Sequence, residues 1–188
     1  MDWPSEEPPR QPGQATELPP FPRIWVGYVL GVATFIAEAV ALTLHPELVK
    51  EPFAVPPLYL FLAGFICLVY WMVCAYELHL VLKQATGGSY PIKPLRAAWF
   101  HIIPFFGLYW VFKWTRELAR FVNGRLPVPL MRPERTGLAV FVAFIIFLFL
   151  DRGFGMILLF WAASHLSRSL RFALAAPAVT PPGPLPFS

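Results

Sequence analysis

"FHIIPFFGLYW", residues 100–110, lies inside the longer apolar run "AAWFHIIPFFGLYWVF", residues 97–112. The run is rich enough in Phe, Ile and Trp to enter a membrane. It also carries a proline at its centre, a glycine three residues later and a histidine. Whether it crosses a bilayer or turns back decides the side on which the rest of the chain lies. Sixteen residues of helix reach about 24 Å, short of a hydrocarbon core about 30 Å thick. Pro104 removes a helical N–H near the middle and breaks the ladder. The basic residues point the same way. If the run does not cross, 13 of the 15 Lys and Arg fall on one side, leaving Lys50 and Arg152 on the other; if it crosses, the split is 6 against 9. The positive-inside bias selects the first arrangement. The run is therefore expected to be a re-entrant dip into the inner leaflet, or two short helices lying flat in it. The joint would be Pro104-Phe105-Phe106-Gly107, packed on protein or reaching headgroup water, because lipid-exposed irregular backbone is expensive.

The composition fits that setting. Of the 188 residues, 57% are hydrophobic and only 14% charged, where a soluble domain carries about 25% charged residues. Residues 24–44 make about 31 Å of helix, enough to span, with Trp25 and Tyr28 placed as interfacial aromatics. Residues 58–82 form a second, longer span that can tilt. Cys67 and Cys74 share this segment, about 10 Å of rise apart, and read as small packed hydrophobes rather than a disulfide. Residues 1–23 and 173–188 are Pro-rich tails flanking a helical membrane domain, 24–172.

After the opening run, Trp110, Trp114, Leu118 and Phe121 fall on one helical face. Lys113, Arg116, Glu117 and Arg120 fall on the opposite one, and Asn123-Gly124 is a stop signal. Residues 94–123 are expected to be interfacial, with Lys113, Arg116 and Arg120 against lipid headgroups. A helix packed on its own protein shows the same pattern. Residues 137–150 and 154–172 are read as a short hairpin turning at Asp151–Gly155, because one continuous helix would bury Asp151 and Arg152 near mid-bilayer. The fold class is thus all-α: four membrane-embedded helices, the last two a hairpin, plus the inner-face segment.

The stretch "YPIKPLRAAWFHIIPFFGLYWVFKWTRELARFVN", 90–123, resembles the signature of an uncharacterised family of bacterial multi-pass membrane proteins with an I-P-F-F-N-L-Y-W-like run. Pro104, Phe105, Phe106, Tyr109, Trp110 and Asn123 carry the resemblance, over about a third of the chain. Gly107 departs from it, since that family has Asn there, a residue able to cap the following helix. The resemblance implies a bacterial inner (or other internal) membrane, with both termini cytoplasmic by the charge bias. It implies no activity.

Glu38 lies inside the first span. It and Arg152 are each 14 residues along their helices, at about 21 Å depth, which predicts an intramembrane ion pair. Unpaired, an intramembrane acid is a candidate for proton or ion work. His79, His101 and His165 share an inner layer and are candidate cofactor ligands, although no metal-ligand spacing supports them. No nucleophile–base set or phosphate loop is present. The expectation is a non-enzymatic accessory or scaffold subunit of a larger membrane assembly, with the bilayer and other proteins as partners and no nucleic acid. The alternatives are a cofactor- or pigment-bearing subunit, and a small transporter or channel using Glu38; the cofactor stays unassigned.

Overall fold

The computed structural model describes residues 18–50, 55–103 and 105–176, and every regular element among them is helical. α1 (Ile24–Leu44) and α3 (Leu58–Ala85) are the two helices long and apolar enough to cross a membrane. A single turn, α2 (Glu47–Lys50), lies between them. α4 (Pro94–Trp99) and α5 (Phe106–Gly124) come from the opening run, and α6 (Pro133–Phe149) and α7 (Arg152–Ala175) close the chain. α4 and α6 each begin on proline, where a missing N–H does no harm. α3 continues past residue 82 to Ala85, after which Gly87 and Gly88 turn the chain with φ +60 and +90.

α7 is the hub, in contact with α1, α3, α5 and α6. Its first turn is where backbones meet. A Cβ at Gly153 would lie 2.3 Å from Cα of Phe35 on α1, and one at Gly155 would lie 2.3 Å from the backbone nitrogen of Phe147 on α6. Glycines thus set how closely α7 approaches both neighbours, as small residues do between helices in membranes. Along the same seam Gly27 of α1 receives the ring of Phe160. Trp71, Leu78 and Leu82 of α3, Trp114 and Leu118 of α5, and Met156, Leu159, Phe160, Leu166 and Leu170 of α7 fill the interior. Much of the outward surface of α1 and α3 is apolar: Trp25, Val29, Val32, Ile36, Phe61, Leu62, Phe65 and Ile66 are all exposed. An uncovered apolar surface of this extent marks contact with a membrane or with other protein.

The opening run folds as two helices, α4 and α5, joined by the short segment between Trp99 and Phe106. α4 packs along α3, and α5 packs along α6 and α7. The indole of Trp110 donates to the Ala97 carbonyl (3.1 Å) and ties the two arms. Phe105, just before α5, takes φ +59, a positive value that a bulky residue adopts only under constraint. A Cβ at Gly107 would stand 2.6 Å from the His101 carbonyl oxygen. Position 107 therefore requires glycine here, and an asparagine cap has no room. Pro104 lies outside the described residues, as do 1–17 and 177–188 of the expected tails.

The Trp face of α5 is buried in the protein, as a helix packed on its own protein requires: Trp110, Trp114 and Leu118 are core residues and Phe121 packs against them. The facing cations are largely engaged. Arg116 and Arg120 both pair with Glu117 and with Glu134 of α6, at 3.0 to 3.6 Å, and the Lys113 ammonium sits over the Tyr109 and Trp110 rings. This face fastens α5 to α6 through the ion pairs of Arg116 and Arg120 with Glu134. The turn of the last hairpin is shorter than expected, Leu150–Asp151 alone, and α7 runs to Ala175, into the segment read as tail.

Candidate functional site

A groove of about 790 Å³ opens between α3, the link between α4 and α5, and α6. On α3 its wall is the stripe Phe65, Val69, Met72, Val73 and Tyr76; across it stand Phe144, Leu148 and Phe149 of α6. Leu95 and Trp99 of α4, with Ile102, Ile103 and Phe105 of the link, close one flank. The α3 side chains recur every three or four residues, so one helical face lines the groove. Sequence periodicity does not isolate this face, because α3 is apolar all round.

His101 lies at the groove floor. Its Nδ1 contacts the Ala98 carbonyl (2.9 Å), and its Nε2 accepts from the Trp114 indole (3.3 Å). The indole can only donate, so Nε2 carries no proton and Nδ1–H is the donor to Ala98. Both nitrogens are used. Burial lowers the His101 pKa from 6.5 to about 4, with the hydrogen bonds opposing that shift. The unfolded imidazole takes up a proton near pH 6.5 that the folded one refuses. Stability is therefore complete above about pH 6.5 and is lost as pH falls toward 4. At pH 5 the His101 contribution to the loss is about 2 kcal/mol, worth about 4–8 °C of melting temperature relative to pH 7.5. Thermal unfolding of wild type and His101→Gln at both pH values checks this: the variant should show the smaller fall, and an equal one would remove His101 as the cause.

The other sequence candidates separate. His79 joins His101 around Trp114, with ring centroids 5.2 and 6.2 Å from that indole. Its Nδ1 donates to the Ala75 carbonyl (2.8 Å), and its Nε2 has no partner among the described residues. His165 is exposed on α7, beside Arg132 and Arg135 and away from the groove. No group of three or more metal-ligating side chains occurs among the described residues.

Glu38 and Arg152 are adjacent as expected, but through different atoms. The Glu38 carboxylate accepts from the backbone N–H of Gly153 (3.1 Å) and of Arg152 (3.4 Å). Asp151 accepts from Phe154 N–H with its side chain (2.6 Å) and from Gly155 N–H with its carbonyl (2.9 Å). All four N–H groups that open α7 thus have acceptors, and both carboxylates face the positive end of its dipole. The Arg152 side chain runs beside Gly64 of α3, where a Cβ would be 3.3 Å from its Cδ. Among the described residues Arg152 makes no ion pair. The expected ion pair is thus a helix cap donated by α1. Apart from His101, Phe105 and Gly107, the residues lining the groove escaped sequence reasoning, as did the glycine seam, although Gly27-x-x-x-Gly31 and Gly153-x-Gly155 were visible signals for the seam. No family model matches the chain, and no curated protein or solved structure matches it.

Proposed function

We propose that the chain is a multi-pass membrane protein with a non-catalytic task, an accessory or scaffold subunit that holds an apolar helix of a partner in the groove between α3 and α6. In this reading α1, α3, α6 and α7 are all membrane-embedded and the α4–α5 segment re-enters from the inner face. The termini are cytoplasmic by the distribution of basic residues, and the resemblance of 90–123 supports a bacterial inner membrane. The observation that carries the reading is the groove itself: about 790 Å³, open along one side and walled almost wholly by hydrocarbon and aromatic side chains. Helix-in-groove recognition uses such a surface, read by anchors spaced at helical period. The groups best suited to chemistry are already employed in holding the fold, Glu38 on backbone amides and His101 between Ala98 and Trp114. That use also weighs against a pigment or metal on the groove wall.

Purification in mild detergent with native-mass readout tests the proposal. The chain should run with protein partners at fixed stoichiometry. Val69→Trp with Val73→Trp, both half-open positions on the groove wall, should deplete those partners while leaving the melting temperature within about 4 °C, since added bulk at a surface groove meets little core. A chain that runs alone, unaffected by the filled groove, overturns it.

A further inference from the structure

We propose that the seam between α6 and α7 binds an anionic phospholipid of the inner leaflet, its phosphate held by Arg132, Arg135 and His165 and one acyl chain laid along Leu138, Val142, Leu158 and Trp161. The inference rests on the membrane reading above. Two pockets meet in this seam. The apolar one, about 410 Å³, is lined by Leu138, Ala139, Val142, Ala143, Leu158, Trp161 and Ala162, with Arg135 at its mouth. The polar one, about 240 Å³, contains Arg132, Arg135, Thr136 and His165. They share Arg135, Ala139, Trp161 and Ala162, so they form one continuous site.

Its shape follows from the packing. α6 and α7 are pressed together at Gly155, and small residues at 139, 143 and 162 leave a channel further along. Trp161 stands as an exposed wall. From 132 to 142 the site extends ten residues of helix, about 15 Å, which is half of a hydrocarbon core about 30 Å thick. That is the depth of one leaflet. The charged end lies at the start of α6, on the side that collects 13 of the 15 basic residues. Arg132, Arg135 and His165 are all exposed, and neither arginine pairs with an acid among the described residues. The contrast is with Arg116 and Arg120, which the Glu117–Glu134 network has already neutralised. Two unpaired guanidinium groups over an apolar channel complement a phosphodiester with a tail, since arginine binds phosphate oxygens with two parallel N–H groups.

The test uses the full chain in mild detergent, titrated with dioleoyl phosphatidylglycerol, dioleoyl phosphatidylcholine or inorganic phosphate, and read by native mass and melting temperature. Phosphatidylglycerol should bind about tenfold or more tighter than phosphatidylcholine, the scale expected from two unpaired arginines. Arg132→Gln with Arg135→Gln should erase that preference. Lys93→Gln with Arg96→Gln removes the same charge elsewhere and should leave it intact. Ala139→Trp, which fills the channel and keeps both arginines, should weaken binding of both lipids. Equal binding of the two lipids by wild type overturns the proposal, whatever the variants do. Equal losses in the two double variants reduce it to surface electrostatics and overturn it as well. Phosphate alone matching the lipid's stabilisation would show an anion site without a chain and also overturn it. Release of the chain from membranes by alkaline carbonate would instead defeat the membrane reading, so the two failures are distinguishable.

Discussion

Gly153→Leu should prevent α7 from seating on α1, and even Gly153→Ala should destabilise the protein severely. The atoms in the way are backbone, Cα and N of Phe35 at 2.3 and 2.4 Å from the new Cβ, so no side-chain rotation relieves the clash. Overpacking of this kind costs about 3 kcal/mol or more where a whole helix must move. For a chain of this size that is a fall of about 6–12 °C in melting temperature. Gly155→Ala should behave alike, against Phe147. Gly124→Ala, with nothing within 4 Å of its new methyl group, should be neutral or slightly stabilising. Thermal unfolding of the detergent-solubilised protein followed by tryptophan fluorescence checks the series. A Gly153→Ala protein as stable as Gly124→Ala would mean the two helices are not in backbone contact.

The second large effect is at Glu38. Glu38→Leu leaves the N–H groups of Arg152 and Gly153 without acceptors, and each unpaired buried donor costs about 1–3 kcal/mol. Glu38→Gln keeps one carbonyl acceptor and should lose less than half as much. Arg152→Gln should change little, because its guanidinium does not hold the carboxylate. The cycle of Glu38→Gln and Arg152→Gln should be additive to within about 0.5 kcal/mol. A coupling well above that would restore the ion pair and sink the cap.

The sequence made some of this plain. α1 is legible from end to end because Pro22 and Pro46 bracket a long apolar run, 24–44, whose one charged residue is Glu38. That Glu38 and Arg152 lie at one level is legible because helical rise is constant. Which atoms meet is not legible, since rise says nothing of rotamer, and the opening N–H groups of a helix compete well for a carboxylate. The stripe Trp110, Trp114, Leu118, Phe121 states that one face of α5 is covered. It does not state by what, because lipid tails and a Leu-rich core present the same chemistry to an indole. The break between α4 and α5 is signalled by Pro104 and Gly107. The contact of Trp110 with Ala97 that joins the two helices is encoded by no local pattern.

The capping of α7 by Glu38 also orders the making of the protein. Glu38 is synthesised ahead of the amides it serves, which follow 114 residues later. At about 5–20 residues per second that is an interval of roughly 6–20 s in which α1 carries an acid with nothing to hold. The arrival of Arg152 and Gly153 ends the wait, so α1 and α7 act as the two halves of a clasp that shuts only once residue 153 has been made.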